Sequence, residues 1–251
     1  MKKRLISLML CACVALAAAG CGGSKKFNNP EKGGTLIMAT NAYFEPYEYH
    51  EGDEIVGIDV EIAEAIAEKL GMTLQVEDME FDSIIAAVNS GKAHIGAAGM
   101  TVTEDRLKNV DFTDPYTTAT QVIIVQEGSE IAGADDLVGK KIGVQLGTTG
   151  DIYASDVEDA TIEQYNKGMD AVQALSNGII DAVIIDNEPA KQFVSKAEDL
   201  KILDEEFVTE EYAIAIAKGN EELLDDVNKA LDAIIADGTV KGIIDKYITA
   251  E

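Results

Sequence analysis

Few residues in this chain can do chemistry, and one of them stands apart. Arg106 is one of two arginines, and the other, Arg4, lies in an apolar leader; the remaining cations after residue 20 are sixteen lysines scattered at polar positions. A guanidinium does what an ammonium cannot, because its planar fork grips a carboxylate through two parallel hydrogen bonds. Gly99-Met100-Thr101-Val102-Thr103-Glu104 leads to it from an apolar run, so Arg106 stands just beyond the carboxyl end of a predicted strand, where α/β sheets collect ligands. Thr101 and Glu104 have the spacing of a capping box. A structural salt bridge to one of the many acids is the competing reading of Arg106. Catalytic traces are otherwise thin. His50 and His94 are the only histidines, and neither common Gly-rich phosphate loop nor a metal-ligand motif occurs. His94, between Ala93 and Ile95, reads as a packed core or edge residue. Carboxylates are so numerous that an Asp/Glu pair reads as solvated surface before it reads as an acid/base couple. No catalytic residue, metal or cofactor is expected.

The elements that must hold Arg106 alternate. Short apolar runs at 35–39, 73–76, 94–98, 121–126, 141–145, 182–185 and 212–217 predict strands. Amphipathic stretches at 59–70, 82–89, 169–176, 189–196, 221–236 and 240–248 predict helices, several of them closed by a glycine such as Gly71 or Gly178. Alternating β and α units argue for an α/β fold with mostly parallel sheets. The runs 121–126 and 212–217 have no helix beside them and can act as strands that cross between two lobes.

The chain has 251 residues with 20 Lys+Arg against 46 Asp+Glu, a formal charge of −26. That excess repels nucleic acid and anionic bilayers, so no nucleic-acid partner is expected. At 47% hydrophobic residues the chain builds a core and is not disordered. Met1-Lys2-Lys3-Arg4 followed by an apolar run to Ala19 reads as a signal peptide over 1–20, too short to span a bilayer that needs about 20 apolar residues. Small residues directly before Cys21 resemble a bacterial lipobox, which implies a diacylated Cys21 carrying palmitate-type chains and a protein anchored by lipid outside the cytoplasm, on a bacterial surface or in a periplasm. Residues 21–33, rich in Gly, Asn and Lys, read as a flexible tether. After cleavage one cysteine remains and the charge is −29, so no internal disulfide helps the fold.

Six segments together resemble a known family. They are Ala42 to Tyr49, Val56 to Glu61, Gly99 to Arg106, Val110 to Tyr116, Gly143 to Gly150 and Ile180 to Asp186. In this order they are similar to the polar amino-acid substrate-binding proteins of ABC importers, and they cover nearly all of the chain after the tether. The resemblance implies a two-lobed periplasmic-binding-protein fold of type 2, two α/β lobes joined by two crossing strands. Lobe 1 would hold 34–121 and 218–251, and lobe 2 would hold 122–217. It implies a free amino acid as ligand, permease and ATPase subunits as partners, and a monomer that binds without catalysis.

Residue by residue, the resemblance gives Arg106 the ligand's α-carboxylate, helped by the amide and hydroxyl of Thr101. Ala98 and Gly99 present backbone groups, Phe44 and Phe81 sandwich the side chain, Thr149 reaches the carboxylate and Asp186 the α-ammonium, with Thr148 and Gln145 nearby. A zwitterion is costly to bury unless each charge meets an opposite partner, which one arginine and one aspartate supply. Bland readings stand beside these: Asp186 as a helix cap, the two phenylalanines as core, and Thr148-Thr149 as caps. Many relatives carry Asp where this chain has Asn41, so basic and polar uncharged ligands, cystine included, both stay open, with Glu45 or Glu48 as substitute charges. An enzyme of the cyclohexadienyl dehydratase type, on the same fold, is the alternative; a receptor sensor domain is a third reading, weakened because no membrane span or signalling domain follows.

Overall fold

The computed structural model describes residues 27–204 and 208–248. The leader, Cys21 and the first part of the tether lie outside the described residues. In chain order the strands are β1 (Thr35–Thr40), β2 (Tyr43–Phe44), β3 (Glu48–Glu51), β4 (Glu54–Val56), β5 (Thr73–Asp78), β6 (Ile95–Gly96), β7 (Val110–Phe112), β8 (Thr117–Gln126), β9 (Lys141–Gln145), β10 (Thr161–Tyr165), β11 (Ala182–Asp186), β12 (Leu200–Ile202), β13 (Val208–Tyr212) and β14 (Ala215–Ala217). The helices are α1 (Ile58–Leu70), α2 (Ile84–Ser90), α3 (Glu104–Leu107), α4 (Thr149–Ser155), α5 (Gly168–Ser176), α6 (Asn187–Val194), α7 (Glu221–Ala236) and α8 (Thr239–Tyr247).

Two sheets form two α/β lobes. The first runs β5-β1-β6-β14-β7 and the second β10-β9-β11-β8-β12, with β13 also on β8. β1 is parallel to β5 and β6, and β9 to β10 and β11, whereas β14 and β8 run antiparallel to their neighbours. The sheets are therefore mixed, not mostly parallel, because the chain leaves the first sheet at its edge strand β7, enters the second at β8, and returns as β14 inserted antiparallel between β6 and β7. β2, β3 and β4 make a small separate meander beside the first lobe.

The crossing is built from β8 and β13. They pair from Thr117↔Tyr212 to Gln121↔Val208. This departs from the expected pair of runs in two ways. β8 starts four residues early, in Thr117–Thr120, whose three threonines and small Ala119 gave no apolar run. The run 212–217 splits, and β14 joins the first sheet, with Ala215 beside Gly96 and Phe112. Residues 213–217 thus belong with the first lobe and not the second.

Helix packing follows the apolar period. α1 buries Ile58, Val60, Ile62, Ala63, Ile66 and Ala67 and ends at Gly71, whose φ of 69° suits glycine. α7 buries Leu223, Val227, Ala230, Leu231 and Ile234, and all of these join one cluster with β1 and β14 side chains. Residues 27–29 of the tether dock on the first lobe. Phe27 packs on the cluster around Ile84, Val88 and Ala217, Asn28 donates to the Gly91 carbonyl at 3.4 Å, and buried Asn220 donates to the Asn29 side chain at 2.7 Å. The flexible reading fails for these residues because an aromatic ring and two amides found partners that composition does not reveal.

Candidate functional site

The eleven residues singled out in the sequence line one cavity between the lobes: Asn41, Phe44, Phe81, Ala98, Gly99, Thr101, Arg106, Gln145, Thr148, Thr149 and Asp186, joined by Glu48. Glu45, the other acid considered, is elsewhere. It pairs with Lys196 across the cleft rim at 3.0 Å.

Arg106 reaches the cavity from α3, a single turn held by Thr103. The Thr103 hydroxyl accepts from the Arg106 N–H at 3.2 Å, so Thr103 is the cap and the Thr101–Glu104 box does not form. The bridge Thr101↔Tyr212 explains the next contact. Its two bonds run from Ala213 N–H to the Met100 carbonyl and from Val102 N–H to the Glu211 carbonyl. The N–H and C=O of Thr101 itself therefore face away from Tyr212. Arg106 Nη1 donates to that carbonyl at 2.7 Å, while Nη2 donates across the cleft to the Gly147 carbonyl at 3.0 Å. Arg106 is 7% exposed; its guanidinium lies 5.3 Å from the Phe81 ring centroid and forms no salt bridge among the described residues. Burial lowers its pKa, and the charges of Glu210 and Asp186 act against that shift. It is a buried cation fixed by two carbonyls, with N–H groups to spare for an anion.

The acid side is richer than expected. Asp186 sits at the N-cap position of α6 but makes no side-chain cap bond; its carboxylate accepts instead from the Tyr212 hydroxyl. Burial, with the Glu210 charge second, raises its pKa to about 7. Glu48 and Asp59 form a second centre. Asp59 accepts from the Gly99 N–H at 2.8 Å and from the Tyr116 hydroxyl at 2.7 Å, and burial raises it to about 6. Glu48 is pushed well above the usual carboxylate range, first by burial and then by the Asp59 charge. Two buried carboxyls in contact share a proton, and Glu48 and Asp59 hydrogen-bond to each other.

The other expected residues close the cleft. Gln145 donates across it to the Asn41 side chain at 2.9 Å, and Asn41 donates to the Met79 carbonyl at 2.8 Å. Thr148 caps α4, accepting from the Asp151 N–H at 3.3 Å. Gly99 has φ of 52°, and a Cβ there would meet Phe44 at 3.0 Å and Tyr212 at 3.2 Å, so glycine is required where the backbone touches the aromatic wall. The Thr101 and Thr149 hydroxyls depart from expectation. Each donates to Glu210 at 2.9 Å. A hydroxyl has one proton, so neither is free to donate to a ligand carboxylate in this geometry.

Glu210, Tyr212, Asp59 and Gln121 were not among the residues singled out, although all four are buried. Period-2 counting back from Tyr212 along β13 puts Glu210 on the same face and Glu211 on the other, and that signal was available.

Comparisons with known proteins give the family of the chain. Residues 36–250 match the profile of the bacterial extracellular solute-binding proteins, family 3. The arginine-binding extracellular protein ArtP of Bacillus subtilis (strain 168) is 37% identical over 256 residues, covering 100% of both chains. A solved structure of an ancestral arginine-binding protein bound to arginine has a TM-score of 0.83 at 41% identity, covering 87% of this chain and 100% of that one. Another, of an ancestral amino-acid-binding protein described as a precursor of cyclohexadienyl dehydratase, has a TM-score of 0.79 at 34% identity, over 85% of this chain and 95% of that one. The chain thus belongs to the bacterial extracellular solute-binding proteins, family 3, the polar amino-acid substrate-binding proteins of ABC importers.

Proposed function

We propose that this protein captures a free amino acid with a basic side chain between its lobes, outside the cytoplasm, and delivers it to the permease and ATPase of an ABC importer, held to the membrane by lipid on Cys21. The observation that carries this reading is the charge layout of one cavity: a buried Arg106 with spare N–H groups, a buried Asp186, and a buried Glu48, whose carboxyl is backed by Asp59. Arg106 and the Thr101 amide hold the α-carboxylate, and Asp186 holds the α-ammonium. The Phe44 and Phe81 rings flank the side chain.

Glu48 supports a basic ligand over a neutral one. A guanidinium or ammonium beside it lets the pair release its shared proton and ionise. A neutral amide supplies a donor but no charge to offset ionisation. Between binding and catalysis, the enzyme reading has one support, a cleft carboxyl held protonated as a dehydration acid would be. We read the site as a binding site because each charge of a basic zwitterion finds an opposite partner in it.

Calorimetry with a panel of arginine, lysine, histidine, glutamine and cystine, run beside a prephenate turnover assay, tests both. Tight binding of a basic amino acid, weakened more by Glu48→Gln than glutamine binding is, supports the proposal. Prephenate turnover, or binding confined to neutral ligands, overturns it.

A further inference from the structure

Glu210 has no part in the residues that line the cleft, yet it organises them. It lies on β13, one of the two crossing strands, and is 4% exposed. One oxygen, Oε2, accepts from the hydroxyl of Thr101 on the first lobe at 2.9 Å, from the hydroxyl of Thr149 on the second lobe at 2.9 Å, and from Nε2 of Gln121 on the other crossing strand at 3.1 Å. Gln121 also donates to the Thr149 hydroxyl at 3.3 Å. Three donors therefore converge on one carboxylate oxygen, drawn from both lobes and the hinge between them.

The consequence concerns what the cleft wall offers. A threonine hydroxyl that donates inward has only lone pairs left to present outward. Thr101 and Thr149 both line the cavity, so Glu210, by taking their hydroxyl protons, turns two groups of mixed character into acceptors, and it adds a buried negative charge behind them. An acceptor wall next to Asp186 is complementary to an ammonium and repels a carboxylate. The anion end is left to Arg106, whose carbonyl contacts on Thr101 and Gly147 keep it on its own side.

We propose that Glu210 is a positioning residue that makes the site selective for α-amino acids over carboxylic acids lacking the amine, by holding the protons of the Thr101 and Thr149 hydroxyls so that both face the ligand's α-ammonium as acceptors. This rests on the reading of the cleft as an amino-acid site. The opposite arrangement, in which the two hydroxyls donate to the ligand's carboxylate, requires them to abandon Glu210 on binding and leaves the buried carboxylate with Gln121 and the Tyr153 hydroxyl as its side-chain donors. That is costly, since stranding a buried acceptor forfeits its hydrogen bonds with no return from water.

The two arrangements differ in which ligand group feels Glu210. The test uses L-arginine against its deamino analogue 5-guanidinopentanoate, and L-glutamine against glutaramate, with competition calorimetry for the weak partners. Glu210→Gln removes the charge and one acceptor at unchanged size. Expected is a loss of at least tenfold in affinity for the amino acid, because hydrogen bonds to charged groups are the strong ones, while the deamino analogue stays within threefold or binds more tightly. Thr149→Val, which keeps shape and loses the hydroxyl, is the second variant should Glu210→Gln fold poorly. It is expected to give the same split, and in combination with Glu210→Gln to add little.

A variant that only loosened the cleft would weaken both ligands of a pair alike. An equal loss for amino acid and analogue in either variant, or a larger loss for the analogue, overturns the proposal and leaves the binding reading intact. Wild-type protein that binds neither L-arginine nor L-glutamine overturns the reading of the site, and the proposal with it.

Discussion

Asp186→Asn separates the two tasks that a buried carboxylate performs in a closing cleft. In the closed form Asp186 is 5% exposed, and its pKa is raised from the usual 3.8 to about 7. A carboxyl whose closed-state pKa is raised binds protons more readily there than in an open, hydrated cleft. Its penalty is absent below pH 4, grows between pH 4 and 7, and is complete above pH 7. At ~1.36 kcal/mol per pH unit, the closed ligand-free cleft is disfavoured at pH 8 by on the order of 4 kcal/mol. An incoming ammonium removes that penalty, so the ligand drives closure by shifting an existing equilibrium. Small-angle scattering reads the result. Ligand-free wild type is expected to be more extended at pH 8 than at pH 5 and to compact when saturated at pH 8. The Asn variant is expected to be compact at both pH values and to change little with ligand, while binding two to four decades more weakly, the range for breaking a buried charge pair at about 3–5 kcal/mol. Glu48 and Asp59 titrate in both proteins, so the difference between the two isolates Asp186. Superimposable ligand-free profiles at pH 8, together with a wild type insensitive to pH and ligand, would refute the reasoning.

Three further outcomes follow from the site and the leader. Arg106→Lys keeps a charge but not the fork that holds the Thr101 and Gly147 carbonyls, and calorimetry is expected to show a loss of about two to four decades with the far-ultraviolet spectrum unchanged; affinity within threefold of wild type removes Arg106 as anchor. Gly99→Ala forces a Cβ to 3.0 Å from Phe44 at a φ of 52°, and thermal unfolding is expected to register a destabilisation of about 1–3 kcal/mol; an unchanged midpoint contradicts the close approach. Metabolic labelling with a fatty-acid analogue is expected to mark the wild-type protein and not Cys21→Ala, and label retained by the variant rules out that anchor.

What the sequence discloses and what it withholds divide along physical lines. Arg106 was legible because its residue type is rare here and its position after an apolar run is local information. α1 and α7 were legible because an apolar stripe of period 3.6 and a closing glycine lie within one window. The start of β8 was not, since Thr117–Thr120 is stabilised by pairing with residues some ninety positions later. The division of 212–217 was hidden for the same reason. Asp186 shows the limit most clearly: one residue fitted two roles, and only the Tyr212 hydroxyl, brought in by a distant strand, decides that the carboxylate turns into the cleft and away from its helix. Glu210 was missed because acids are so common in this chain that composition favours the surface, while the pattern of its own strand pointed inward.

The position of β14 bears on the order in which the molecule can assemble. It is the strand between β6 and β7 in the first sheet, yet more than a hundred residues separate it from either. A chain emerging from its amino end presents β1, β5 and β6 early, with the far edge of β6 unpaired, and that edge waits until residue 217 has appeared. The second lobe meets no such delay, because its strands β8 to β13 arrive consecutively. It can therefore complete its sheet while the first lobe still exposes strand edges and the apolar face that α7 will cover, the kind of surface that invites association between nascent chains. Chains cut after β13 are expected to keep an ordered second lobe beside an unfinished first one, so the final forty residues act as the closing step of the whole protein and not as an appendage to it.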